Sequence, residues 1–231
     1  MLTFKVLSAL LVYPEQEVID SLDEMAAVLD REKLLPAAVR ADLRAFMETL
    51  KATDLMDAQA SYISLFDQSR SLSLHLFEHI HGESRDRGQA MVDLLQHYRA
   101  KGLDLTTVEL PDFLPLFLEF LALQPPGEAR ELLGETAGII SLLRTRLDKR
   151  RSSYAAVLAA IETLAPGKAD DRAIAETVAG EVPDHTPEAL DRAWEEAPVT
   201  FNDANLGQAS CGTGCAAAAA VVERFAPPDA P

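Results

Sequence analysis

The chain has 231 residues, 48% of them hydrophobic, a formal net charge of −16 and a sequence pI near 4.6. That size fits one ordinary domain with an appendage, and acidity of this degree repels nucleic-acid phosphates and anionic membrane surfaces, so neither is expected as a primary partner. No apolar run is long enough for direct membrane insertion, no signal peptide is expected, and the two cysteines, Cys211 and Cys215, provide no disulfide framework, so a cytoplasmic location is expected.

Leu2, Phe4, Val6, Leu7, Leu10 and Leu11 predict a first helix that is apolar over most of its circumference and ends at Tyr13-Pro14. A second helix is expected from Glu15 to about Leu34. A third, opened by Pro36, carries Val39, Leu43, Phe46, Met47 and Leu50 at helical spacing. Thr53 or Asp54 caps a fourth that runs through Tyr62 to Phe66. The histidine-bearing segment that follows is stopped by Gly82. Ser84 then caps a helix ending at Lys101-Gly102, with Gly102 in the C-cap role. Leu110 to Leu123 is strongly apolar and closes at Pro125-Pro126-Gly127. A long helix is expected from about Glu128 to Leu164, weakened at Gly134 and Gly138, where it can divide in two. No alternating strand pattern with turn signals occurs, so the expected fold is all-α: a single helical bundle domain over residues 1–165. Residues 166–231 are expected to form an acidic, partly disordered tail, since residues 165–231 hold twelve acids against four bases. One short helix is expected in the tail near 187–196, with Thr186 as N-cap and Pro187 at N1.

Chemistry concentrates in His75-Leu-Phe-Glu78-His79-Ile-His81-Gly82-Glu83-Ser-Arg85-Asp86-Arg87, which holds three of the five histidines. His75-x-x-Glu78-His79 has the spacing of one class of zinc peptidases, in which two imidazoles one turn apart grip a zinc ion and the glutamate acts as base. Such a hydrolase needs a third ligand, for which Glu109 and Glu119 are candidates that nothing marks. A polar pocket or structural cluster is the alternative. Cys211-x-x-x-Cys215 lacks the companions of a closed metal site, and no metal or cofactor is expected there. Tyr62, Leu65 and Phe66 form a stripe that ordinarily means core. With the apolar run around Asp112, Leu114 and Glu119 they also describe a greasy groove with acidic edges, the kind of surface that receives a basic amphipathic helix.

Three stretches together carry a resemblance: Tyr62-x-x-Leu65-Phe66-Asp67, the run from Leu76 to Leu94, and Leu110-Pro-Asp-Phe-Leu-Pro-Leu116. They resemble the NarJ family of molybdenum cofactor assembly chaperones for respiratory nitrate reductase, part of a wider group of all-helical chaperones for twin-arginine-type redox enzymes. The likeness is dense from about Leu55 to Leu123 and returns at Thr186 to Glu196; the tail around Cys211 departs from it. The resemblance implies a non-enzymatic protein without a cofactor. It would bind the basic N-terminal peptide of the nitrate reductase catalytic (alpha) subunit and keep the apoenzyme open for cofactor insertion before membrane docking. It also implies a peptide site involving Tyr62, Leu65, Phe66, His79, His81, Glu83, Asp86, Arg87, Asp112 and Leu114. In that site Glu83, Asp86 and Asp112 would meet basic groups, and Leu65, Phe66 and Leu114 would shape an apolar floor. Tyr62 and Phe66 as buried core, and Arg87 paired internally with Glu83 or Asp86, are the structural alternatives.

Overall fold

A computed structural model of the chain describes residues 1–81, 86–105, 109–167, 170–184 and 186–194. Its helices are α1 (Leu2–Ala9), α2 (Gln16–Asp20), α3 (Leu22–Glu32), α4 (Ala37–Ala52), α5 (Leu55–Tyr62), α6 (Leu76–His81), α7 (Asp86–Ala100), α8 (Leu114–Leu123), α9 (Pro126–Glu135), α10 (Ala137–Lys149), α11 (Ala155–Leu164), α12 (Asp171–Gly180) and α13 (Pro187–Trp194). A π-helical turn, Ile63–Asp67, prolongs α5, and a 3₁₀ turn covers Arg70–Leu72. The fold is all-α; among the described residues the nearest thing to a strand is an isolated antiparallel bridge between His75 and Phe113. No helix among them is long and apolar enough to cross a membrane.

The core is organised around the helices that are apolar over most of their circumference. In α1, Phe4, Val6 and Leu7 are buried; in α8, Leu114, Phe117, Leu118, Phe120 and Leu121; in α11, Val157, Leu158 and Ile161. A helix with so narrow a polar face has to be covered on most sides, and α1 packs on α8, α3 and α11, while α11 packs on α4 and α10. Each such side chain contributes about 1.5–3 kcal/mol on burial. The α1–α8 crossing is fastened at two points. Ser8 Oγ donates to the Pro115 carbonyl at 2.8 Å, and the Met1 ammonium donates to Ala122 O at 2.7 Å, near the negative end of the α8 dipole. At the head of α1, the Leu2 and Thr3 amides donate to Glu32, each at 2.8 Å.

Several sequence signals act locally as expected. Asp54 accepts from the Met56 amide at 2.9 Å at the head of α5. Gly102 takes φ +84° after α7, where the Leu103 amide reaches Tyr98 O at 2.9 Å and the Gly102 amide reaches Arg99 O at 3.0 Å, the paired bonds of a Schellman stop. Two elements differ from expectation. The helix expected from Glu15 to Leu34 is jointed at Ser21, which turns at φ −88°, ψ −4° between α2 and α3. The helix expected from Glu128 to Leu164 is three helices. It divides at Thr136, between the two glycines, and again at Arg151, whose φ of +54° sits in a second Schellman stop: Ser152 N–H to Leu147 O at 3.0 Å and Arg151 N–H to Asp148 O at 2.9 Å. A side chain other than glycine at that point leaves no signal in the sequence. The stop at Gly82 and the cap at Ser84 lie outside the described residues.

Past residue 165, Thr186 Oγ1 accepts from the Ala189 amide at 3.2 Å at the head of α13. A helix not expected from the sequence, α12, begins where Asp170 accepts from the Arg172 and Ala173 amides, and it lies against α10 with Val178 buried.

Candidate functional site

The histidine segment is pinned to the start of α8 by a short extended pairing. The Leu76 amide donates to Asp112 O at 3.0 Å, and the Leu114 amide donates to Leu74 O at 2.9 Å. The pairing brings the Asp112 carboxylate under the first turn of α6, where one oxygen accepts the Phe77 amide at 3.0 Å and the other lies 3.2 Å from His75 Nδ1. A carboxylate suits a helix N-terminus because unpaired amides and the positive dipole end converge there. Asp112 has no exposed surface, so its partners in this structure are His75 and the α6 amide. The hydrogen bond to Asp112 outweighs burial and raises the pKa of His75 above its ordinary value.

His79, one turn on, faces inward. Its Nε2 is 2.8 Å from Ser73 O and its Nδ1 is 3.4 Å from Arg146 Nη1. A carbonyl only accepts, so Nε2 carries the proton and Nδ1 presents its lone pair to the guanidinium. Burial, together with the Arg146 charge, holds the pKa of His79 below its ordinary value. Arg87, at the second position of α7, donates to Glu78 at 3.0 Å, a partner different from the Glu83 and Asp86 considered from sequence. His75, Glu78 and His79 are therefore engaged with Asp112, Arg87 and Ser73 respectively. Among the described residues no three His, Cys, Asp or Glu side chains are grouped to hold a metal ion.

Tyr62 and Phe66 form an inner wall. The Tyr62 hydroxyl donates to Leu11 O at 2.9 Å, and its ring lies 4.9 Å from Phe66, 5.7 Å from Tyr13 and 6.2 Å from Tyr154. Phe66 completes the cluster at 5.1 Å from Tyr154. Burial raises the phenol pKa of Tyr62, and that of Tyr154 to about 12, so both stay neutral donors at any physiological pH. Leu65 differs from its neighbours. Within the π-helical turn it is only partly buried, and it lines a cavity of about 440 Å³ shared with Ser71, Arg146, Lys149, Arg150 and residues 181–184. A π-turn widens the helix locally and is common where a side chain must be presented.

The sequence-derived site thus divides by depth. Tyr62, Phe66, Asp112 and Leu114 are buried. Leu65 borders the cavity, Arg87 is half-buried, and Asp86 stands exposed at the first position of α7. His81 closes α6, and its side chain, like all of Glu83, lies outside the described residues. Residues not singled out from sequence also meet here: Arg146 and Arg150 on α10, and Glu181 and Asp184 beyond α12. Their signals were the i, i+3, i+4 spacing of Arg146, Lys149 and Arg150, and two acids three residues apart.

The chain matches the nitrate reductase delta subunit family over residues 32–160, more than half its length. It is 45% identical to the "Nitrate reductase molybdenum cofactor assembly chaperone NarJ" of Escherichia coli K12 over 231 residues, covering all of this chain and 95% of the relative. It is 39% identical over 205 residues to the "Probable nitrate reductase molybdenum cofactor assembly chaperone NarW" of the same strain, covering 89% of this chain and 86% of the relative. Across a wider distance, it is 31% identical over 167 residues to the probable NarJ chaperone of Bacillus subtilis 168, covering 71% of this chain and 90% of that one.

Proposed function

The chain belongs to the nitrate reductase delta subunit family, and from that membership we propose that it is a molybdenum cofactor assembly chaperone for nitrate reductase. The observation that carries this reading is similarity along the whole chain, at 45% identity, to a relative named for that role. In this reading the protein acts in the cytoplasm and catalyses no reaction. It binds the basic N-terminal peptide of the catalytic subunit and keeps the apoenzyme open for cofactor insertion until it docks on the membrane.

The geometry supports a division of labour among the site residues. Leu65, partly exposed on the π-helical turn beyond α5, supplies apolar contact with the peptide. Tyr62, Phe66 and Leu114 act from behind by fixing the wall on which Leu65 stands. Asp86, exposed at the start of α7, and Glu83, three positions earlier in the sequence, give the acidic edge that attracts a basic peptide, with His81 in the same stretch. Asp112, through His75 and the Phe77 amide, and Arg87, through Glu78, hold α6 and α7 in place, and His79 ties α6 to α10. A chain of net charge −16 draws a basic peptide from a distance, and apolar contact retains it.

The test is a calorimetric titration of the full chain with a synthetic peptide from the N-terminus of the cognate catalytic subunit, at low and high salt. One-to-one binding that weakens with salt is the expected result. Absence of binding at both salt concentrations overturns the peptide-binding reading.

A further inference from the structure

Arg146 and Lys149 of α10 and Arg150 at its C-cap share one face, and a single segment of the chain meets all three. Arg146 grips the Glu181 carboxylate through its fork, with Nε 3.1 Å from both oxygens and Nη2 2.5 Å from one, and it also donates to Ser71 O at 2.7 Å. Lys149 Nζ donates to Val178 O at 2.5 Å. Arg150 pairs with Asp184 and donates to Ser69 Oγ and Ser71 Oγ at 2.7 and 3.0 Å. The other Asp184 oxygen accepts the Ser71 amide and the Ser69 hydroxyl, each at 2.9 Å. Two carboxylates three positions apart are thus received by two guanidinium groups, two hydroxyls and a backbone amide. Planar forks and converging N–H donors are the usual means of recognising carboxylate.

The strap from Glu181 to Asp184 is held at its ends and little between them. Val182 is 76% exposed and Pro183 is exposed, while the cavity of about 440 Å³ stays open beneath them beside Leu65. In α12, Val178 is the buried hydrophobic residue. The strap's contacts are mainly ionic, with the arginine side chains 13–14% and the carboxylates 28–31% exposed, and ionic contacts within reach of solvent are weakened by salt, unlike contacts of the core. A basic peptide is repelled by the α10 cations. Whatever replaces the strap therefore carries negative charge, and the open cavity has room for an apolar side chain between two acids.

We propose that this face of α10 and the Ser69–Ser71 turn form a receptor for an extended acidic segment of the client protein, which Glu181–Asp184 occupies in the free chain and the client segment displaces. The existence of a client rests on the assembly reading above; the receptor does not. A client that presents a basic N-terminus to one surface and an acidic segment to this one is gripped at two points, and two weak contacts then act as one strong one.

The experiment uses the full chain and a fluorescent peptide copying residues 176–186, followed by anisotropy. With Glu181→Gln/Asp184→Asn, two changes at partly exposed side chains that loosen the strap, the peptide binds at least ~10-fold tighter than to the unaltered chain, because the internal competitor is gone. High salt weakens that binding. Adding Arg150→Gln removes it, Arg150→Lys restores it in part, and a peptide with both acids replaced by amides does not bind. Equal affinity for the loosened and unaltered chains, binding indifferent to the peptide's acids, or no binding to the loosened chain each overturns the proposal. The basic N-terminal peptide of the client is titrated against the same proteins. If it binds while the acidic peptide does not, only the receptor fails; if the acidic peptide alone binds, only the peptide-binding reading fails.

Discussion

Asp112 Oδ1 lies 3.2 Å from His75 Nδ1, and the carboxylate has no exposed surface although the two residues are 37 positions apart. This contact, with the Phe77 amide bond, joins the histidine segment to the head of α8. The segment that carries the densest family resemblance is therefore positioned by a buried acid in the turn before α8.

Asp112→Asn is expected to lower stability by about 1–3 kcal/mol, because His75 and the Phe77 amide lose a charged acceptor inside the protein. Chemical denaturation of the full chain measures it. A loss of peptide affinity with unchanged stability would instead make Asp112 a contact residue.

His75 and His79 predict opposite pH effects. The folded pKa of His75 is raised by Asp112, so its contribution to stability is complete below the unfolded value of ~6.5 and fades as pH rises through the higher folded value. His79 is lowered by burial. Its contribution is present above ~6.5 and is lost as pH falls through the lower folded value. Imidazole resonances followed by NMR should titrate on opposite sides of ~6.5, and His75→Gln should reduce the melting temperature more at pH 5 than at pH 9.

Phe66→Ala empties part of the Tyr62–Tyr154 cluster and is expected to cost about 3–5 kcal/mol. Leu65→Ala removes a partly exposed side chain and should cost about 1 kcal/mol while weakening the peptide more than Phe66→Ala does in the fraction that stays folded. Denaturation and calorimetry on both variants separate wall from contact. Equal effects on affinity would place Leu65 in the wall.

Arg151 holds φ +54° in the stop between α10 and α11. Arg151→Gly relieves that strain, partly offset by the greater freedom of glycine in the unfolded chain, and is expected to stabilise by about 0.5–1 kcal/mol. Destabilisation on denaturant unfolding would mean that the arginine side chain contributes more than its backbone costs.

What the sequence determined by itself is local. Helical periodicity marks the apolar elements, Asp54 and Gly102 mark a start and a stop, and the run from Leu76 to Leu94 carries the family resemblance, because each acts through neighbours within a turn or two. The second break of the long helix left no mark, since Arg151 occupies a conformation that glycine usually announces. Tertiary structure decided the rest. Nothing local distinguishes Asp112 as a buried anchor from Asp112 as a surface acid; the His75–Phe113 pairing makes the difference. The acidic stretch after residue 165 reads as solvated charge until α10 brings two arginines to Glu181 and Asp184, and Ser69 meets Asp184 across 115 positions. Charge and hydrophobicity along the chain set what each residue can do, but its partner is set by packing between distant elements, and that arises only when the whole chain is folded.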